Sequence, residues 1–197
     1  GVAWGAKWIA GDIFGPGKGG SPADSAGPAD GDEVIQAFQW FADPDGNPDT
    51  SDDVPAVVQN SWGTTAEEGG IPCDPIWWEA IDNCEAAGVV VTWSAGNSGP
   101  AQNTIIVPAD RASTPTRNFS IGAVDATDTS WPYSVAYFSS RGPSLCTTNG
   151  QISIKPEVVA PGVNVYSSVP GGAYAGGWSG TSMAGPHCAG VVALIRQ

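Results

Sequence analysis

Asp74-Pro75-Ile76-Trp77-Trp78-Glu79-Ala80-Ile81-Asp82-Asn83-Cys84-Glu85-Ala86-Ala87-Gly88-Val89-Val90-Val91-Thr92-Trp93-Ser94-Ala95-Gly96-Asn97-Ser98-Gly99 holds the pattern that sets the architecture. Asp74-Pro75 has the cap-then-proline order that opens helices. Ile76, Trp77, Ala80, Ile81 and Cys84 recur at helical spacing, and Gly88 is a stop. The β-branched run that follows, residues 89–95, reads as a buried strand ending in a Gly-Asn turn. With a short apolar strand at 56–61, this predicts a strand–helix–strand unit, hence parallel pairing with a right-handed crossover.

The same reading extends to the rest of the chain. Residues 7–14 read as a strand. Val34, Ala37, Phe38 and Phe41 place a helix over 33–42, with Asp30 or Asp32 as its cap. Residues 103–107, 118–124, 135–139 and 163–168 read as shorter strands. At the end, Cys188-Ala189-Gly190-Val191-Val192-Ala193-Leu194-Ile195 has the length and composition of a buried helix. The expected fold is α/β, three-layered, with a mainly parallel sheet flanked by helices.

Two segments carry chemistry. Gly180-Thr181-Ser182-Met183-Ala184-Gly185-Pro186-His187 puts Ser182 in the first turn of that last helix, where unpaired N–H groups and the positive dipole end lie. A hydroxyl there can act as a nucleophile, with donors ready for the negative charge that builds on an attacked carbonyl. A plain helix cap by Thr181 or Ser182 is the structural alternative. Asn97 stands at the carboxyl end of a sheet strand, where open α/β sheets place their ligands, and can offer a carboxamide N–H. Its structural alternative is a turn asparagine.

Taken together, these segments resemble the subtilisin-like serine proteases, the subtilases of the S8 family. Gly180 to His187 looks like that family's nucleophile motif and Ala95-Gly96-Asn97 its oxyanion segment. Gly1-Val2-Ala3-Trp4-Gly5-Ala6-Lys7-Trp8-Ile9-Ala10 is similar to the strand after the family's histidine helix, and Asn60-Ser61-Trp62-Gly63 to its substrate-pairing strand. Phe138-Ser139-Ser140-Arg141-Gly142-Pro143 and Lys155-Pro156-Glu157-Val158-Val159-Ala160-Pro161-Gly162 match two further landmarks, in family order. The detail is most similar to the bacillopeptidase F-like, bacterial secreted members.

The resemblance implies a serine endopeptidase with Ser182 as nucleophile and Asn97 as oxyanion donor. It implies a peptide or protein substrate bound extended between Ser61-Trp62-Gly63 and Ser94-Ala95-Gly96. Trp62 would line a pocket, and the small Ala95 and Gly96 would leave room for a large side chain. It also implies that residues 1–197 are a single partial domain, the C-terminal two-thirds of the catalytic domain, truncated at both ends. The family's triad aspartate and histidine precede the first matched segment. His187 sits five residues past Ser182 on one helix, too far round to serve as its base. The chain alone is therefore expected to be nearly inert. The alternative is a catalytically dead, peptide-binding relative of these enzymes.

Composition limits the other possibilities. The 197 residues are 41% apolar, enough for one core. A net charge of −13 with seven scattered cations excludes nucleic acid as a partner. No run of eighteen apolar residues exists, so no membrane span is expected; the expectation is a secreted monomer. No cofactor is required for the chemistry. Asp43-Pro44-Asp45-Gly46-Asn47-Pro48-Asp49 crowds oxygen ligands and is a candidate structural Ca²⁺ loop, although it lacks EF-hand order. Gly15-Pro16-Gly17-Lys18-Gly19-Gly20 mimics a dinucleotide fingerprint, but loop residues follow it instead of a helix. Four cysteines are too few for a disulfide scaffold, and a continuous helix would hold Cys73 too far from Cys84 to bridge. Trp77, Trp78, Trp93 and Trp131 adjoin apolar segments and read as core.

Overall fold

Strand β2 (Val90–Ser94) is the axis of the molecule. The computed structural model describes residues 1–13, 31–112, 118–147 and 153–197. β2 lies parallel to β1 (Val57–Asn60) on one side and to β3 (Phe119–Asp125) on the other. β3 is extended by β5 (Val158–Pro161) in parallel and by β4 (Ser134–Val135) antiparallel. A separate antiparallel pair joins β6 (Val165–Val169) to β7 (Ala173–Trp178).

Alternation along β2 divides its side chains between two layers. Val91 and Trp93 are buried on one face, in a cluster with Val34 and Phe38 of α1 (Gly31–Ala42) and Ile81 and Cys84 of α2 (Trp78–Ala86). On the other face, Ser94 donates its hydroxyl to the Thr181 carbonyl of α3 (Thr181–Ile195). There Ala184 of α3 packs on Ile121, Ala123 and Ala160. Helices on both faces of a mainly parallel sheet make the three-layer α/β arrangement that the sequence predicts.

The helix over 31–42 forms, but Asp32 lies inside its first turn and is no cap, while Asp30 lies outside the described residues. α2 begins at Trp78, later than expected. The Asp74 carboxylate accepts the Ile76 N–H at 3.1 Å and Pro75 O accepts the Trp78 N–H at 3.0 Å, so Asp-Pro builds a turn before the helix. Gly88, at φ 96°, ends it.

Several expected elements differ. Residues 7–13 form no strand, since none of the described residues pairs with them, and Trp8 is 84% exposed; Phe14 and the Gly15–Gly20 loop lie outside the described residues. Residues 103–107 contribute only a bridge between Thr64 and Val107, and 135–139 only the first residue of their strand. Trp131 is an exposed residue, edge-on to Tyr133, not a core one.

Cys73 and Cys146 are joined in a disulfide, which the sequence reading did not foresee. Asp110 is buried beside it and accepts the Cys73 N–H at 2.9 Å. Burial pushes its carboxyl above the usual aspartate range, although the Cys73 N–H and the Lys155 charge oppose this. Cys84 and Cys188 are free thiols. Among the described residues, no helix is long and apolar enough to cross a membrane.

Candidate functional site

Because β1 and β2 run parallel, their carboxyl ends lie side by side. The chain leaves β1 into Ser61-Trp62-Gly63 and β2 into Ala95-Gly96-Asn97. The N-terminus of α3 meets both. Ser94 Oγ donates to Thr181 O at 3.0 Å, and Ser61 Oγ donates to Ser182 O at 3.3 Å. The second bond follows from the helix sequence: Pro186 has no N–H to give to the carbonyl four residues back, so Ser182 O is left for Ser61.

Thr181 ties the parts together. It is fully buried, its N–H and hydroxyl both reach Asn97 Oδ1 at 2.9 and 3.1 Å, and its Oγ1 accepts the Gly96 N–H at 3.2 Å. Two donors on Oδ1 fix which end of the carboxamide is oxygen. Asn97 Nδ2 donates to nothing among the described residues, and Asn97 is exposed. Ser182 is half-buried, in the first turn of α3, where no earlier turn supplies a carbonyl for its N–H. Among the described residues Ser182 Oγ has no hydrogen-bond partner. A hydroxyl, a free helix-terminal N–H and a carboxamide N–H₂ therefore meet at one sheet end, a set suited to acyl chemistry.

Sequence reasoning missed two residues that organise this site. Thr181 reads locally as a cap and takes its larger role only through residues some eighty positions away. Gln59 reads as an ordinary strand residue, yet its Nε2 donates to Ser61 Oγ at 3.1 Å and its Oε1 accepts from Thr92 Oγ1 at 2.8 Å, linking β1 and β2 under the site.

Other expected roles are altered. The Trp62 indole turns inward, edge-on to Trp93 at 4.9 Å and Trp77 at 5.4 Å, with Nε1 donating to Asn60 Oδ1. Trp62 is thus packed against the core on one side and remains partly exposed. Residues 94–96 also have few main-chain groups to offer a second strand. Ala95 N–H goes to Ile121 O, Ala95 O accepts from Ile106 N–H, and Gly96 O accepts from Ser140 N–H. The main-chain groups of Ser61, Trp62 and Gly63, in contrast, are bonded to no other main-chain group among the described residues. The room expected beside Ala95 and Gly96 is occupied by Ile106, which lies against both Gly63 and Gly96. His187 Nδ1 lies 2.8 Å from Met183 O on its own helix.

The acidic loop brings Asp43, Asp45 and Asp53 carboxylate oxygens within 4.8 Å of one another. Asp45 accepts from the Asn47 N–H and the Thr50 hydroxyl, and Asp53 accepts from the Asp45 N–H, so the loop satisfies many of its own acceptors.

Comparison with known proteins finds relatives along the whole chain. The Subtilase family model, Peptidase_S8, matches residues 1–197. Bacillopeptidase F of Bacillus subtilis (strain 168) is 39% identical over 206 residues, covering 100% of this chain and 12% of that protein. Serine protease AprX of the same organism is 33% identical over 180 residues, covering 84% of this chain and 38% of its own. The solved structure of S41 Psychrophilic Protease superposes with a TM-score of 0.64 at 30% identity, over 87% of this chain and 51% of that one. The chain thus spans only part of the length of the proteins it matches.

Proposed function

The chain belongs to the subtilase family, and from that premise we propose that it carries the nucleophile and oxyanion half of a serine endopeptidase site. Ser182 Oγ attacks the carbonyl carbon of a peptide bond. Its proton passes to a histidine oriented by an aspartate, both supplied from outside residues 1–197, and is later delivered to the leaving amine. The oxyanion is held by Asn97 Nδ2 and the Ser182 N–H. The substrate lies extended along Ser61-Trp62-Gly63, whose main-chain groups are free to pair with it, while Ser94-Ala95-Gly96 forms the neighbouring wall. The disulfide fits an oxidising, extracellular setting.

The observation that carries this reading is the clamp of Thr181 on Asn97 Oδ1, which leaves the opposite end of the carboxamide available beside Ser182. Without the histidine and aspartate, residues 1–197 alone should be nearly inert. A fluorophosphonate probe tests both halves: it should label Ser182 in the full-length protein, Ser182→Ala should abolish the label, and residues 1–197 alone should label weakly. No labelling of a folded full-length protein sinks the reading. It would favour a second one, a peptide-binding relative without catalysis.

A further inference from the structure

We infer that Ile106 is the specificity-determining residue of the primary substrate pocket and makes it shallow, so that alanine-sized side chains are accepted before the scissile bond and aromatic ones refused. The inference rests on the peptidase reading above. A substrate held along residues 61–63, with its carbonyl at Asn97, directs the side chain of that residue between the 61–63 and 94–96 segments. The glycines facing this space would leave a deep cleft on their own.

Ile106 fills it. Its N–H donates to Ala95 O at 3.1 Å, and the next residue, Val107, exchanges both main-chain bonds with Thr64 at 3.0 Å. The backbone is thereby fixed to both walls. A Cβ placed on Gly63 would stand 2.6 Å from Ile106 Cδ1, and one on Gly96 2.5 Å from Ile106 Cγ2. The two arms of one β-branched side chain thus touch the two walls. Such a side chain is stiff at χ1 and cannot leave one wall without striking the other. Ser140 Oγ closes the space behind Gly96, where the same Cβ would lie 2.8 Å away, and is itself fixed by the Ser98 N–H at 3.1 Å. A ring entering this space must displace Ile106, and close-packed interiors resist that. Ile106 is only half-buried, so part of it remains exposed as a floor for a small side chain.

The test uses the full-length protein and tetrapeptide p-nitroanilides that differ only in their last residue, Ala or Phe. Wild type should prefer Ala in kcat/KM by roughly tenfold or more. Ile106→Gly and Ile106→Ala should raise the Phe/Ala ratio of kcat/KM roughly ten- to hundredfold. Ile106→Val, which trims one methyl and keeps the branch, should fall between. A wild type that favours Phe, or variants that depress both substrates equally, would overturn the assignment. If wild type turns over neither substrate, the peptidase reading has failed, and the pocket is judged by affinity instead. Product peptides ending in Ala or Phe are then titrated against tryptophan fluorescence. Ile106→Ala must gain affinity selectively for the Phe peptide; an equal change for both refutes the role of Ile106.

Discussion

At the residue scale the site depends on which way one carboxamide faces. Asn97→Leu keeps the volume and removes the donor. It should lower kcat of the full-length enzyme by about 10²–10³ with little change in KM, a magnitude known from a subtilase oxyanion asparagine. A large KM change with kcat intact would show that Asn97 binds substrate instead of the oxyanion. Thr181→Val tests the clamp. It leaves the Gly96 N–H without its acceptor and takes one of the two donors from Asn97 Oδ1. A buried group orphaned in this way costs about 1–3 kcal/mol, readable in urea melts, and a loosened Asn97 should reduce kcat as well. A variant as stable and as active as wild type would remove Thr181 from the account. Ser182 and Asn97 stood out in the sequence as candidates because each stands in a local pattern, a helix start or a strand end. Thr181 and Ile106 did not, because each acts by touching two segments that are distant along the chain.

At the element scale, the parts with their own periodicity were legible. Residues 31–42, 78–86 and 90–94 carry apolar spacing that survives in the buried faces of α1, α2 and β2. Strand β7, whose sequence is Ala-Tyr-Ala-Gly-Gly-Trp, is glycine-containing and largely exposed, so neither propensity nor alternation marks it. Residues 7–13 carry the composition of a strand, but a strand needs a neighbour, and none of the described residues supplies one. On α2, Cys84 is completely buried, and burial pushes its thiol up to about 12. The thiolate is the reactive form, so Ellman's reagent should leave Cys84 untouched in the native protein and modify it on unfolding. Rapid native labelling of Cys84 would mean that the α1–α2–β2 layer opens readily.

Across the whole molecule, two buried features set stability. The Cys73–Cys146 bridge spans 73 residues of sequence. Loop-closure entropy on that scale corresponds to about 4 kcal/mol, so Cys73→Ala/Cys146→Ala should lose roughly 2–4 kcal/mol in denaturant melts. The pairing was not legible because it joins two irregular segments with no shared pattern. Asp110, buried against the bridge, has a raised folded-state pKa, so the folded protein binds its proton more tightly than the unfolded one. Its effect on stability is therefore most favourable below the ordinary value of 3.8 and is lost as pH climbs from there through the raised folded value. Asp110→Asn buries no charge and should show no such decline. Melts at pH 4 and pH 7 should find the stability difference shifting toward the variant at the higher pH, and a constant difference would refute this.

The bridge also bears on how self-digestion would be recognised. Cys73 precedes α2 and Cys146 follows β4, so a single cut anywhere in the intervening chain yields two pieces still covalently fastened. Nicked copies then co-migrate with intact ones in size-exclusion chromatography and on gels run without thiol, and only dithiothreitol separates them.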